Sequence, residues 1–316
     1  MLKLMKLVLY RIVHNKANLI TYLILIPIVL VMAIYITNSV SFLLHVGIVG
    51  DIEVVENPNI QYTDLTEVPA TSQIVFNEYD AVIVQEQQEI KVISTKGEDF
   101  NRMIPLLVSG QIDSLPETGV QRGNATQIIG FLMMVVSLLG VQIYTYYFDE
   151  RKGIHKRILG SNVHCYEYIL SHFIVVLGFV FVPAVIVLCG IITFFHITLS
   201  IALSQFIIVL FLLCLFASSF GVWVSTVFPT FEESMMFGNM VAIVGTILAG
   251  GFVEVTHNEF FHLIVQALPQ KQIMLLLNAL ENHSSLPIVG IIYIIGLSVI
   301  MVIMAMIIEK KKLPTR

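Results

Sequence analysis

Charged residues are scarce in this sequence. Asp, Glu, Lys and Arg make up 12% of its 316 residues, whereas about 25% is usual for a soluble globular domain. Hydrophobic residues reach 57%, and the mean hydropathy is +0.87. This composition excludes an ordinary soluble protein and predicts an integral membrane protein.

Cysteine is almost absent as well. The three cysteines, Cys165, Cys189 and Cys214, lie in or beside apolar runs, and none lies between residues 41 and 122. This placement excludes a disulfide framework and a cysteine-based zinc site.

The sequence also lacks the usual motifs of nucleotide and metal chemistry. It contains neither G-x-x-x-x-G-K-[ST] nor H-E-x-x-H, so we predict no ATP site, no catalytic residue and no metal site on this chain. The densest ligand-like cluster, EVTHNEFFH, holds Glu254, His257, Glu259 and His262. We interpret these as solvated loop residues at a membrane boundary. The alternatives are a metal site or a membrane enzyme that uses Glu254, His257 and His262.

Long apolar runs are the main feature that is present. A helix needs about 20 apolar residues to cross the ~30 Å hydrocarbon core of a bilayer. The runs predict six transmembrane helices, at 19–40, 128–148, 169–195, 201–227, 235–253 and 286–308. The first run has a basic flank like that of a signal peptide. We nevertheless expect a retained span, because its apolar stretch exceeds the about 7–15 residues of a signal core.

Basic residues set the expected orientation. With both termini in the cytoplasm, 12 of the 17 lie on the cytoplasmic side, as the positive-inside rule requires: Lys3, Lys6, Arg11, Lys16, Arg151, Lys152, Lys156, Arg157, Lys310, Lys311, Lys312 and Arg316. We therefore expect a multi-pass protein of the cell membrane. Residues 1–18 read as an amphipathic helix that would lie in the membrane interface, with a plain basic flank as the alternative.

Residues 41–122 have ordinary polarity and predict a small α/β extracytoplasmic domain between spans 1 and 2. HVGIVGD and EYDAVIVQEQQEIKVIST read as strands, the second with a turn near Gln87 and Gln88, and FNRMIPLLVSGQI reads as a short amphipathic helix. The region holds 13 acidic and four basic residues, a net charge of −9. This negative charge would attract cationic molecules or metal ions. Alternatively, the acidic residues serve only to keep the domain soluble.

Two polar stretches interrupt the apolar part of the chain. Residues 254–280 are too polar at their start, and too broken by Pro269, to cross the membrane. They predict a re-entrant segment, which is tolerated where protein or water covers the backbone. The stretch YYFDERKGIHKRILGSN (146–162) concentrates charge between two spans. It suits docking to a soluble protein, or is a positive-inside loop that only fixes topology.

The layout resembles the ABC-2 type permeases, in the branch with a large domain between the first two spans. In that family a segment of the form E-R-x-x-G-T follows the second span. Here Glu150, Arg151 and Gly153 supply its Glu, Arg and Gly, with one residue between Arg151 and Gly153 where the form has two, and basic and apolar residues follow. Ile154 stands where threonine is usual, and Asn162 where proline is usual. A second match, a small-Gly-aromatic stretch followed later by Leu-Pro, is Ala249, Gly250, Gly251, Phe252, Leu268 and Pro269.

The resemblance implies an all-α membrane protein that serves as the permease subunit of an ATP-driven exporter, not as an enzyme. A second permease subunit, identical or different, would complete the path through the membrane lipids. A cytosolic ATPase subunit would bind ATP and Mg²⁺ and dock on segment 149–166. No nucleic acid partner is expected. The implied coupling residues are Glu150, Arg151, Gly153, Lys156, Arg157 and Leu159, and the implied gate residues are Gly250, Gly251, Phe252 and Pro269.

The expected substrate is amphipathic: an antimicrobial peptide, a lipopeptide or a drug. The alternative function is a membrane sensor subunit that binds cationic peptides through the acidic domain and signals through a partner.

Overall fold

The structure is a computed structural model that describes residues 1–14, 20, 24–33, 44–50, 60–65, 69, 79, 81–86, 89–94, 104, 124–151, 157–158, 163–195, 199–251 and 264–312. The chain divides into two compact units. One unit joins Met1–Thr37 to Arg122–Arg316, and the other is Asn38–Gln121.

Helices build the first unit. They are α1 (Leu2–His14), α2 (Ile24–Ala33), α3 (Asn124–Gln142), α4 (Thr145–Arg151), α5 (Cys165–Phe195), α6 (Leu203–Val227), α7 (Phe231–Leu248), α8 (Pro269–Glu281) and α9 (Ile288–Lys312).

Four described helical stretches are long and apolar enough to cross a membrane. They are Asn124–Arg151, which joins α3 to α4, Cys165–Phe194, Leu203–Val227 and Ile288–Lys312. These match the predicted spans at 128–148, 169–195, 201–227 and 286–308, which are confirmed as apolar helices of spanning length.

The other two predicted spans are not settled. The run 19–40 is described only in part, mainly as the ten residues of α2. The run 235–253 corresponds to α7, which has 18 residues and carries Glu232 and Glu233 in its first turn. Six spans therefore stay a prediction.

Helix α6 lies at the centre of this unit and packs against α3, α5, α7, α8 and α9. Its inner positions are apolar or small, and most of the helix from Val209 onward is buried. The outer helices α5 and α9 keep large apolar side chains exposed, among them Ile186, Val289 and Ile292. A helix that is apolar on all sides can be stable when lipid covers its outer face.

Glycines let α3 and α6 cross closely. A Cβ atom at Gly221 of α6 would lie 2.0 Å from the Gly140 carbonyl oxygen of α3, and one at Gly140 would lie 2.6 Å from the Ala217 carbonyl oxygen. Both contacts are with backbone, which cannot rotate away. Small residues at such crossings are typical of helix pairs in membranes, because close backbone approach maximises van der Waals contact.

The second unit contains a four-stranded sheet. Its strands are β1 (Leu44–Val49), β2 (Ile60–Leu65), β3 (Ala81–Glu86) and β4 (Glu89–Ile93), in the order β2-β1-β3-β4. Strand β1 pairs in parallel with β2 and β3, and β3 pairs antiparallel with β4. Val46 and Ile48 of β1 and residues 81–84 of β3 are buried, as expected for central strands of a mostly parallel sheet.

The strands predicted at HVGIVGD and EYDAVIVQEQQEIKVIST are confirmed as β1 and as the β3–β4 pair. Glu86 pairs with Glu89, so the chain reverses where the turn was predicted, although Gln87 and Gln88 lie outside the described residues. Strand β2 was not predicted. Of the helix predicted in FNRMIPLLVSGQI, only Ile104 is described, in helical conformation.

Candidate functional site

The charged stretch begins inside a helix. A turn at 143–144 separates α3 from α4, and the Thr145 hydroxyl donates to the Gln142 carbonyl at 2.7 Å. Helix α4 then carries Asp149 on its exposed side and buries Glu150, which is 3% exposed. Burying a carboxylate requires partners, because an unpaired charge loses its hydration without compensation.

Glu150 has partners on two other helices. It forms an ion pair with Arg11 of α1, and its Oε2 accepts a hydrogen bond of 2.6 Å from the Tyr168 hydroxyl of α5. The Nε2 atom of His172, also on α5, lies 3.7 Å from the same oxygen. We call Arg11, Glu150, Tyr168 and His172 the Glu150 cluster.

Aromatic rings enclose the Glu150 cluster. Fully buried His172 shares a 2.9 Å hydrogen bond between its Nδ1 and the Tyr146 hydroxyl, and the two rings are stacked with centroids 5.3 Å apart. The Tyr168 ring meets the His172 ring edge-on at 4.3 Å. These rings keep water from the carboxylate and fix its orientation between α1 and α5.

Arg151, the next residue along α4, reaches a different pair of helices. Its guanidinium donates to the Phe228 and Thr226 carbonyl oxygens at 2.9 and 3.4 Å, where the backbone of α6 ends. It also lies 4.9 Å from the Tyr147 ring centroid, a cation–π distance. A cation suits this place because the last carbonyls of a helix have no partner within the helix and carry partial negative charge.

Glu309 of α9 lies beside both Tyr147 and Arg151. It is 1% exposed, its Oε2 accepts a 2.6 Å hydrogen bond from the Tyr147 hydroxyl, and it lies 3.6 Å from Arg151 Nη2. Lys312 of α9 donates to the Thr226 carbonyl oxygen. We call Tyr147, Arg151, Glu309 and Lys312 the Glu309 cluster.

The remaining predicted coupling residues have different positions. Arg157 is exposed. Its neighbour Ile158 is partly buried, and the Ile158 side chain packs against the hydrophobic core. Gly153, Lys156 and Leu159 lie outside the described residues. Glu150 and Arg151 are therefore held inside the unit, whereas Arg157 faces outward.

The predicted gate glycines end α7. Gly250 has a φ of 83°, a left-handed conformation that glycine adopts without steric cost. The Gly250 N–H donates to the Ile247 carbonyl at 3.0 Å, and the Gly251 N–H donates to the Thr246 carbonyl at 2.8 Å. This pair of bonds is the Schellman motif, which terminates helices. A Cβ at Gly130 of α3 would lie only 1.9 Å from the Gly251 carbonyl oxygen, so the turn rests directly on α3.

Pro269 begins α8 at its first turn, where proline needs no N–H partner. Beside it, Gln270 is 1% exposed and packs on α7, since a Cβ at Gly245 would lie 2.7 Å from its Nε2. The structure thus brings α8 against α7 close to the glycine turn. Phe252 lies outside the described residues, and the re-entrant path predicted for 254–280 is described only from residue 264.

A third carboxylate cluster lies at the other end of α3. Glu281 of α8 accepts hydrogen bonds from the Thr126 N–H at 3.1 Å and from the Thr126 hydroxyl at 2.5 Å, and also one from the Ser200 hydroxyl. The Ser200 N–H donates to Asn124 at 2.8 Å. A carboxylate at a helix N-terminus is stabilised by the free N–H groups there, so Glu281 fastens α8 to the start of α3.

Sequence reasoning did not find Glu309, Tyr168, His172 or Glu281 as site residues. A signal existed for two of them: Glu309 is the one acid in the basic end IIEKKK, and His172 interrupts the apolar run YILSHFIVV. An ionisable residue in an apolar helix points to a functional or structural partner by default. Nothing in the local sequence identifies Arg11 as the partner of Glu150.

Metal-ligand clusters are absent from the part of the chain that is described: no three His, Cys, Asp or Glu side chains there lie close enough to share an ion. Glu254, His257, Glu259 and His262 lie outside the described residues, so the metal and enzyme alternatives based on them stay untested.

The family model for the ABC-2 type transporter matches residues 100–281, more than half of the chain. The matched range includes the charged stretch, the helices from α3 to α8 and the glycine turn. No curated protein matched the chain.

Proposed function

The chain belongs to the ABC-2 type transporter family, and from that premise we propose that it is the permease subunit of an ATP-driven exporter. Its helices would form half of a path through the membrane. ATP and Mg²⁺ would bind to a separate ATPase subunit, because the sequence contains no phosphate-binding loop. The observation that carries the proposal is the family match across the apolar helices and the charged stretch between them.

Segment 149–166 is the proposed coupling site. It would dock the ATPase through the exposed Arg157, together with Lys156, Gly153 and Leu159. Closure of two ATPase subunits around ATP would then move the segment and rearrange the helices, a rigid-body mode of coupling between distant sites. Glu150 and Arg151 join this segment to the helices.

The proposed orientation places both termini in the cytoplasm, on the side where the ATPase would dock. Arg157 and the exposed Lys310 and Lys311 at the end of α9 support this, because basic residues near span ends remain cytoplasmic. The sheet unit, 38–121, would then lie outside. A second permease subunit would face this one across the path.

An amphipathic substrate, such as an antimicrobial peptide, a lipopeptide or a drug, is the proposed cargo. The net charge of −9 in 41–122 would attract cationic molecules to the outer side of the membrane. The gate would be the glycine turn, Gly250 and Gly251, which rests on α3, together with the start of α8 at Pro269.

Purification from the native membrane tests the proposal. The chain is extracted in mild detergent, and the proteins that accompany it are identified by mass spectrometry, with an unrelated tagged membrane protein as the control. We expect an ATP-binding-cassette ATPase in stoichiometric amount, with or without a second permease chain. A kinase without an ATPase would instead favour the sensor function.

A further inference from the structure

We propose that Glu150 and Arg151 are positioning residues, which transmit movement of segment 149–166 to the helices and do not themselves touch the ATPase. This inference rests on the proposed function, and it divides the coupling residues into an outer group that binds and an inner pair that transmits.

Burial is the first argument. The Glu150 side chain is 3% exposed and the Arg151 side chain is 18% exposed, and both are engaged within the chain. For Glu150 to reach a soluble protein, it would have to leave Arg11 and Tyr168 behind. Breaking a buried ion pair leaves an uncompensated charge, which is strongly unfavourable.

The different partners of the two side chains are the second argument. Glu150 joins α4 to Arg11 of α1 and to Tyr168 of α5. Arg151 joins α4 to the backbone end of α6 at Phe228, and lies beside Glu309 of α9. Two adjacent residues thus connect one short helix to four others, so a shift of α4 cannot leave these helices in place without breaking charged contacts.

The place of α4 in the chain is the third argument. Its last residue, Arg151, lies six positions before exposed Arg157, inside the proposed docking segment. A pull on the segment therefore reaches α4 directly at one end, as it reaches the start of α5 at the other. Charged hydrogen bonds in a water-poor site suit this role, because they have specific geometry and resist sliding.

Cys165 offers a native reporter of the transmitted movement. It is half-buried at the start of α5, and its Sγ lies 3.8 Å from the Met306 carbonyl oxygen of α9. It therefore lies where helices from the two clusters meet. The experiment uses the purified complex with its ATPase and measures the rate of maleimide modification of Cys165 by peptide mass spectrometry, with and without ATP and vanadate.

Four variants are compared with the wild type. Arg11→Gln removes the cation that faces Glu150, Arg11→Lys keeps it, Glu150→Gln removes the anion, and Lys6→Gln removes an exposed cation from the same helix as a control. The wild type, Arg11→Lys and Lys6→Gln should show a nucleotide-dependent change in the Cys165 rate. In Arg11→Gln and Glu150→Gln that change should be at least about fivefold smaller, the lower end of typical coupling between sites.

The amount of ATPase that co-purifies with each form distinguishes failure of this inference from failure of the proposed exporter function. All variants should keep the wild-type ratio of ATPase to permease, because the inner pair does not form the contact. Loss of the ATPase from Glu150→Gln, with wild-type thermal stability, would overturn the inference and make Glu150 a docking residue. A full nucleotide response in Glu150→Gln, or none in the wild type, would also overturn it. If no ATPase accompanies the wild type, the proposed function itself fails.

Discussion

The substitution Gly221→Ala tests the close crossing of α3 and α6. The added methyl group would lie 2.0 Å from the Gly140 carbonyl oxygen and 2.8 Å from Tyr144 Cε2. A real Cβ contact of this kind stays beyond 3.0 Å, so the helices must separate by about 1 Å at their crossing. Such overpacking typically costs about 1–3 kcal/mol of the free energy of unfolding.

A matched control separates this cost from helix propensity. Gly178 lies inside α5, and a Cβ there would meet nothing within 4 Å. Replacing glycine by alanine within a helix gains up to about 1 kcal/mol at either position. We therefore expect Gly178→Ala to be neutral or stabilising and Gly221→Ala to be destabilising by up to about 2 kcal/mol after that gain is subtracted.

The assay is the loss of monodisperse protein on heating, followed by fluorescence-detected size exclusion in detergent. A net loss of about 2 kcal/mol corresponds to a midpoint about 3 °C lower for a chain of 316 residues, because the entropy of unfolding is about 2.1 cal/mol/K per residue. The reasoning is refuted if Gly221→Ala melts at or above the midpoint of Gly178→Ala.

Two further predictions use the same assay. Gly250→Ala should lower the free energy of unfolding by about 1 kcal/mol, because alanine disfavours the left-handed φ of 83°. The control Gly296→Ala has open space around the added methyl group and should not lower it. Equal melting midpoints for the two variants would contradict the left-handed end of α7. Tyr147→Phe should destabilise by about 1 kcal/mol, because Glu309 loses its 2.6 Å hydrogen bond; an unchanged midpoint would mean that the bond contributes nothing.

The apolar helices could be predicted from sequence because the cause is local. A run such as 201–227 contains enough apolar residues to span a bilayer, and α6 covers Leu203–Val227. The same holds for β1, β3 and β4, which are short runs rich in β-branched residues. Strand β2, IQYTDL, is a polar edge strand that depends on its pairing with β1, so its own sequence gives a weak signal.

The cluster contacts could not be predicted because they join distant parts of the chain. Arg11 and Glu150 are 139 positions apart, and their pairing follows from how α1 packs on α5. Sequence indicated that charge at 149–157 is important but not that Glu150 faces inward. Similarly, the pairing of Gly140 with Gly221 is a property of two packed helices, and neither helix alone reveals it.

Photo-cross-linking from position 157 tests the central claim most directly. In intact membranes it identifies the protein that contacts the exposed Arg157 position of segment 149–166. A photoreactive residue replaces Arg157 in one form and Val289, 82% exposed on α9, in a control form. We predict that position 157 captures an ATP-binding-cassette ATPase and that position 289 does not. Capture of no ATPase at 157, or of equal amounts at both positions, would contradict the account.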